Sequence, residues 1–501
     1  MLDISVAFTH EFTLFSTQDI LAAYTVAFKV LPSVLWLGSS LSNRHETLIR
    51  NDISNLASGA VAFALQTSHT SLAVEYFEQG LSTTHKQKLQ LTDDYTHLKT
   101  HLPTLSQKFH QVSLQLQSSS RRSDHTINYH ALANERLELL AKIHQHPGFE
   151  NFLLPPKYSY LSQAAMHGPV IMLNVGPDKT DALIILSRST LPVHLCLSSV
   201  SEPAVVDCKI RIKNSLDQFF IHSRETRYGR PHKLDNISPD KNLQSVITWL
   251  WKSVVKPIFE VLEKNGIYGG RLWWCPSGPF TYFPLHAAAP IDSPFIHSYI
   301  PTLDSLIQAN LKDMPIDDTL TAVGIVGTSA NIKAWAMLPS VEGELLTITT
   351  LFGKKAQQLM DAQATVQSVL EKIQSSSWIH LACHGHQDFE NPLKSGLILY
   401  DGQLELQSIL DINLPNAKFV YLSACETAMG DSKLVNEAMH LAGGFLAAGF
   451  QGAIGTLWSM PDAYGPRVSE VAAEGLHLAI QKLRKEDAPP HQWMPFVHFG
   501  I

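Results

Sequence analysis

Only five cysteines are spread over 501 residues, at 196, 208, 275, 383 and 425, an odd number without pattern. That excludes a disulfide framework and points to free thiols in a reducing compartment, so a cytoplasmic location is expected. Charged residues make up only 17% and their balance is −7, which leaves no basic excess for a polyanion. Nucleic acid is therefore not an expected partner. The first 17 residues carry no basic segment ahead of an apolar one, so no signal peptide is read. The apolar stretch 20–38 is interrupted by Lys29 and Pro32 and reads as a buried helix pair, not a membrane span. What is present is 45% hydrophobic residues, which at this length describes an ordered globular chain of two or three domains.

Residues 1–149 read as helical. Leu21, Tyr24 and Phe28, then Leu56, Ala60, Phe63 and Ala64, then Leu72, Tyr76 and Phe77 recur at helical spacing. Segments 57–65 and 71–80, joined by a polar turn, suggest two antiparallel helices with small residues facing large ones. A tetratricopeptide-like hairpin and a plain helical bundle both fit that pattern. Pro103 breaks the next helix, 118–124 is a polar loop, and 130–144 is one more amphipathic helix.

From about residue 150 the pattern changes to strands alternating with helices, the signature of an α/β fold with a mostly parallel sheet. Residues 169–175 and 181–186 read as a hairpin around Gly176-Pro177-Asp178, with 193–197 a third strand. The basic run 222–233 reads as a solvated connection. A helix over 243–263 leads to a strand at 272–276. A second pass follows from 316, with strands at 322–327, 378–382, 419–424 and 453–458, a hairpin at 395–406 around Asp401-Gly402, and a small-residue helix at 436–450.

Two of these strands end in reactive side chains. The first runs Trp378-Ile379-His380-Leu381-Ala382-Cys383 into His384-Gly385; the second runs Phe419-Val420-Tyr421-Leu422-Ser423-Ala424 into Cys425-Glu426-Thr427. Short apolar runs of this kind are strands buried on both faces, and open α/β sheets place their chemistry at the carboxyl ends of such strands. A thiol on one end and an imidazole on the next make a nucleophile and its base. Gly385 allows the backbone to approach a substrate, and its N–H could join that of Cys425 around an oxyanion. By strand alternation His380 shares a face with His384 and is a lesser candidate base, though its place inside the strand suits a packed core histidine. His386 reads as a loop residue. Cys383, His384, His386 and Cys425 match no common zinc spacing, so neither a metal nor a cofactor is expected.

His-Leu-Ala-Cys-His-Gly at 380–385, Leu-Ser-Ala-Cys-Glu-Thr at 422–427 and Gly-Thr-Leu-Trp-Ser-Met-Pro-Asp at 455–462 resemble the CHAT domain of the caspase and separase clan of cysteine peptidases. Segments 271–278 with 283–286, and 338–344, resemble further motifs of that family, in the family's order over about 165–501. The resemblance implies a caspase-like α/β domain in two parts, a non-catalytic half at 150–315 and a catalytic half at 316–501, behind tetratricopeptide-like helices at 1–149. It implies a cysteine endopeptidase with His384 as general base and Cys425 as nucleophile, and with Gly385 and Cys425 supplying oxyanion N–H groups. Its setting would be regulated signalling or cell death and defence. In the separase branch an aspartate at the place of Asp462 receives a basic substrate residue; capping of a helix from Ala463 is the other role open to it.

The expected partners are a protein substrate, and a protein bound by the N-terminal helices, which would serve as docking surface and cover and not as part of the catalytic machinery. No nucleic acid and no membrane are expected. A dormant dyad retained in a scaffold or interaction module is the alternative of a different class, and a cysteine acyltransferase or thioesterase is a third.

Overall fold

A computed structural model of the chain describes residues 15–92, 95–117, 128–176, 179–187, 189–225, 239–312, 319–332, 335–388, 390–429, 434–459 and 472–501. The helical start is as expected. Helices Thr17–Val34, Leu41–Arg50, Ile53–Gln66, Thr70–Gly80, Thr83–Thr92, Thr96–His101, Pro103–Gln117 and Tyr129–Ile143 precede the first strand. The stretch read as a helix pair at 20–38 is one helix, because Pro32 falls in its last turn and ends it there without splitting it. Pro103 stands at the first position of its helix, where its missing N–H costs nothing; the break is at Leu102. Ile53–Gln66 and Thr70–Gly80 lie so close that a methyl on Gly80 would meet the Ala57 side chain at 2.1 Å.

Among the described residues, fourteen strands form two sheets. They are β1 Val170–Val175, β2 Thr180–Ile185, β3 Val193–Leu197, β4 Gly270–Pro276, β5 Phe295–Tyr299, β6 Leu320–Gly324, β7 Ala356–Met360, β8 Trp378–Ala382, β9 His384–His386, β10 Gly396–Ile398, β11 Gln403–Glu405, β12 Phe419–Ser423, β13 Gly452–Thr456 and β14 Phe496–Gly500. Eleven make one continuous sheet in the order β3-β2-β1-β4-β5-β14-β13-β12-β8-β6-β7, and β11-β10-β9 make a small second one. The hairpins β1–β2 and β10–β11 are those expected.

The last strand of the chain is the keystone of the large sheet. β14 runs antiparallel to β13 along its full length and parallel to β5 through Phe499 and Tyr299. It is largely buried on both faces, His498 included, because it is central, not at an edge. The indole of Trp273 on β4 donates to the Gly500 carbonyl at 2.9 Å across the same seam.

Helices cover both faces. One core cluster sets β4, β5 and β14 against helices Pro239–Leu250, Lys256–Lys264 and Ala472–Lys485. On the opposite face, Val170, Met172, Leu183, Ile185, Trp273 and Cys275 meet Tyr24, Phe28, Val61, Tyr76 and Phe77 of the N-terminal helices. The helical region is thus a layer of the α/β body. Around β8 and β12, helices Leu441–Ala448, Leu406–Leu410 and Val366–Ser375 bury a third cluster. The helix expected at 436–450 begins only at Leu441, because His440 caps it, accepting the Gly443 N–H, while Asn436 and Glu437 are turned toward other elements. Among the described residues no helix is long and apolar enough to cross a membrane.

Candidate active site

β8 and β12 are parallel neighbours paired from Trp378 with Phe419 to Ala382 with Ser423, a constant offset of 41 positions. His384 and Cys425 differ by the same 41, each standing two residues beyond the last pair of this ladder. Cys383 still belongs to the ladder: its N–H donates to the Ser423 carbonyl at 3.3 Å, and its side chain is buried with Val420 and Leu422. Burial pushes the Cys383 thiol well up, which marks it as a packed, inert cysteine.

At Cys383 the chain bends out of the large sheet. His384, Gly385 and His386 then pair antiparallel with Ile398, Leu397 and Gly396 of β10. His386 therefore closes a short strand and does not lie in a loop. The bend also removes the strand alternation expected to put His380 and His384 on one face. The two histidines belong to different sheets.

The imidazole of His384 is held through Nε2. Its Nε2–H donates to the carbonyl of Ala336 at 2.7 Å, and the ring of Trp335 lies 5.2 Å away, tilted by 31°. A proton on Nε2 leaves the lone pair of the neutral ring on Nδ1. No carboxylate is needed to choose this tautomer. Ala336 was not legible as a site residue, because a backbone carbonyl has no sequence signature.

Cys425 sits half-buried in the turn after β12, the thiol being free of any disulfide. Glu426 takes a left-handed backbone with φ of 58°, the sharp reversal that ends the strand beside the thiol. Three threonine contacts pin this turn. Thr456 Oγ1 donates to the Ala424 carbonyl at 2.8 Å, the Thr456 N–H donates to Thr427 Oγ1 at 2.9 Å, and the Ala442 N–H donates to the Thr427 carbonyl at 2.9 Å. Thr456 ends β13, which pairs parallel with β12. Ser459, just beyond, donates to the Glu426 carboxylate at 3.1 Å. Asp462 lies outside the described residues.

Gly385 closes the arrangement. A methyl group placed on it would sit 2.0 Å from the Cys425 carbonyl oxygen and 3.4 Å from the Cys425 nitrogen. Only glycine permits the two backbones to meet there. His380 lies apart from the site, fully buried, donating from Nε2 to Glu344 Oε1 at 2.8 Å and stacked on Tyr421 with centroids 4.9 Å apart. The motif at 338–344 thus supplies the partner of a core histidine.

Comparison with known proteins agrees with this fold. The CHAT domain family model matches residues 244–500. The match begins downstream of the β1–β3 hairpin that the sequence resemblance had included. Two crystal structures of the Saccharomyces cerevisiae separase–securin complex share the fold, with TM-scores of 0.54 and 0.52 at 12% identity. Each likeness covers 97% of this chain, helical region included, but only 38% and 37% of the separase chain. No curated protein sequence matches. The expected caspase-like α/β fold behind a helical region is the observed one. With the matched segment covering more than half of its length, this chain belongs to the CHAT domain family.

Proposed function

We propose that this chain is a cysteine endopeptidase in which His384 and Cys425 act as a dyad. The observation that carries the reading is the common offset of 41 that brings the two strand ends level, reinforced by the contact of Gly385 with the Cys425 backbone. The Ala336 carbonyl orders the proton traffic. With Nε2 committed to it, Nδ1 of His384 is the nitrogen available to take the thiol proton. The thiolate then adds to the substrate carbonyl, forming a carbon–sulfur bond and a tetrahedral oxyanion. The N–H groups of Gly385 and Cys425 are the donors proposed to face that oxygen. Collapse breaks the carbon–nitrogen bond, the imidazolium returns its proton to the departing amine, and a thioester remains. Water, deprotonated by the same imidazole, hydrolyses it and regenerates the thiol.

Asp462 is proposed to receive a basic residue ahead of the cut, through a charge-assisted contact. The helical region is proposed to take a protein partner, as separase does in its complex with securin. The test is labelling by an active-site-directed electrophile, followed by a substrate screen. Selective modification of Cys425 that His384→Ala abolishes, with cleavage lost in Cys425→Ala, supports the peptidase. A Cys425 that reacts no faster than a free cysteine, whatever stands at 384, would leave a scaffold with a dormant dyad.

A further inference from the structure

Two buried glutamates cap helices across the interface between the helical region and the α/β body. Glu78, near the end of helix Thr70–Gly80, accepts the N–H groups of Leu303 and Asp304 at 2.9 and 3.3 Å, at the start of helix Leu303–Leu311. In the other direction Glu437 accepts the N–H groups of Thr83 and Thr84 at 2.6 and 3.0 Å, at the start of helix Thr83–Thr92. Both carboxylates are buried. A carboxylate there satisfies N–H groups that the helix itself leaves unpaired and meets the positive end of its dipole.

Glu437 is not an isolated peg. Its neighbour Asn436 accepts the Ser82 N–H on its carbonyl at 2.8 Å and the Gly278 N–H on its side chain at 2.7 Å. Lys88 of the same helix reaches the Ile412 carbonyl at 3.0 Å. Segment 434–440 is thereby fastened to the helical region and to the loop after β4. It leads directly into helix Leu441–Ala448, whose second residue, Ala442, donates to the Thr427 carbonyl two positions beyond Cys425. Little slack separates these contacts. A methyl on Gly443 would meet the Ala438 carbonyl oxygen at 2.3 Å, and one on Gly444 would meet Leu406 at 2.3 Å.

We infer that Glu437 is a positioning residue for the nucleophile: the N-terminal helical region holds the Cys425 turn in shape by clamping segment 434–440 through that carboxylate. The helices are therefore part of the support of the site and not only a docking surface or a cover. Any partner that moved helix Thr83–Thr92 would reach the nucleophile along this path. The inference rests on the peptidase reading for its consequence, but the clamp is a statement about structure that can be measured by itself.

The experiment uses the full chain and compares wild type with Glu437→Gln, a substitution of equal size that turns an amide donor toward one of the two N–H groups. Glu75→Gln is the control. Its carboxylate holds Tyr158 and Lys157 at another contact of the helical region, away from the nucleophile turn. Alkylation of Cys425 by iodoacetamide is followed against pH, with hydrogen exchange of the amides at 424–429. The clamp predicts that Glu437→Gln slows alkylation at neutral pH by about 10- to 100-fold, as misplacement by a fraction of an ångström does. It also predicts a midpoint moved toward the ~8.5 of a free thiol and quickened exchange at 424–429, with Glu75→Gln unchanged in all three. A lower melting temperature with rate, midpoint and exchange intact would overturn the inference, as would equal effects from Glu75→Gln. Should wild-type alkylation prove independent of His384, the peptidase reading fails, and the exchange measurement alone decides the clamp: quickened exchange sustains it and unchanged exchange overturns it.

Discussion

Gly385 and Cys425 stand in backbone contact across two different sheets, close enough that a single methyl on the glycine would lie 2.0 Å from the cysteine carbonyl oxygen. The obstacle is main chain, which cannot swing aside as a side chain can. Gly385→Ala should therefore separate the dyad or distort both turns. We expect a loss of Cys425 labelling by at least ~10²-fold, together with a lower melting temperature. Labelling at the wild-type rate in Gly385→Ala would show that the approach is not needed.

Removal of the base and of the nucleophile should differ in kind. Cys425→Ala should abolish cleavage outright, because the thioester can no longer form, and should change stability little at a half-buried turn. His384→Ala should cost ~10²–10⁴-fold, the usual contribution of general-base catalysis. Rates of peptide cleavage and thermal melts of the two variants check both halves.

His380 is expected to be structural. His380→Phe leaves the Glu344 carboxylate buried without its partner, which costs about 3–5 kcal/mol when one member of a buried pair is removed. The surviving folded fraction should still label at Cys425 in a His384-dependent manner. Denaturant unfolding together with labelling tests this, and loss of labelling without loss of stability would reinstate His380 as a base.

Thr456 ties β13 to the nucleophile turn. Thr456→Val keeps the shape and deletes the hydroxyl, leaving the buried Ala424 carbonyl only the longer contact from Thr427 Oγ1 at 3.4 Å. Loss of one such hydrogen bond costs about 0.5–1.5 kcal/mol. A drop of that size in unfolding free energy, with faster amide exchange at 424–428, is the expected result.

The interface with the helical region should weaken in acid. Burial, with Lys86 and His440 adding to it, holds His85 down at about 4, and burial holds His440 down at about 4. Their folded-state values lie below the ~6.5 of an unfolded histidine, so between pH ~6.5 and 4 the unfolded chain binds more protons. Stability contributed by each is present above ~6.5 and falls by about 1.4 kcal/mol for every pH unit down to about 4. Glu78 and Glu437, whose carboxyls burial pushes up, act in the opposite sense. The histidine contribution is therefore read from the difference between wild type and His440→Gln in melting curves from pH 7 to 4.5, the wild type losing more stability toward acid.

How much was readable in advance depended on whether a feature is local. The helices, the β1–β2 and β10–β11 hairpins, and β8, β12 and β13 were legible because apolar period and turn residues are written into neighbouring positions. That His384 and Cys425 come just after β8 and β12 was legible for the same reason, whereas the start of β9 at His384 was not. The bounds of helix Leu441–Ala448 were misjudged because Asn436 and Glu437, compatible with a helix by themselves, are drawn to Gly278, Thr83 and Thr84 from distant parts of the chain.

The sequence by itself determined the elements, the caspase-like succession of strands and helices, and two reactive residues each at the end of an apolar run. Only the tertiary structure decided that Ala336 supplies a carbonyl to His384, that His380 belongs to Glu344, and that β14 joins the two parts of the sheet. It alone decided that Glu437 reaches back over 350 positions to cap a helix of the N-terminal region. The reason is physical: backbone carbonyls carry no side-chain signature, and a buried carboxylate takes its partner from whatever N–H groups the folded chain leaves unpaired beside it.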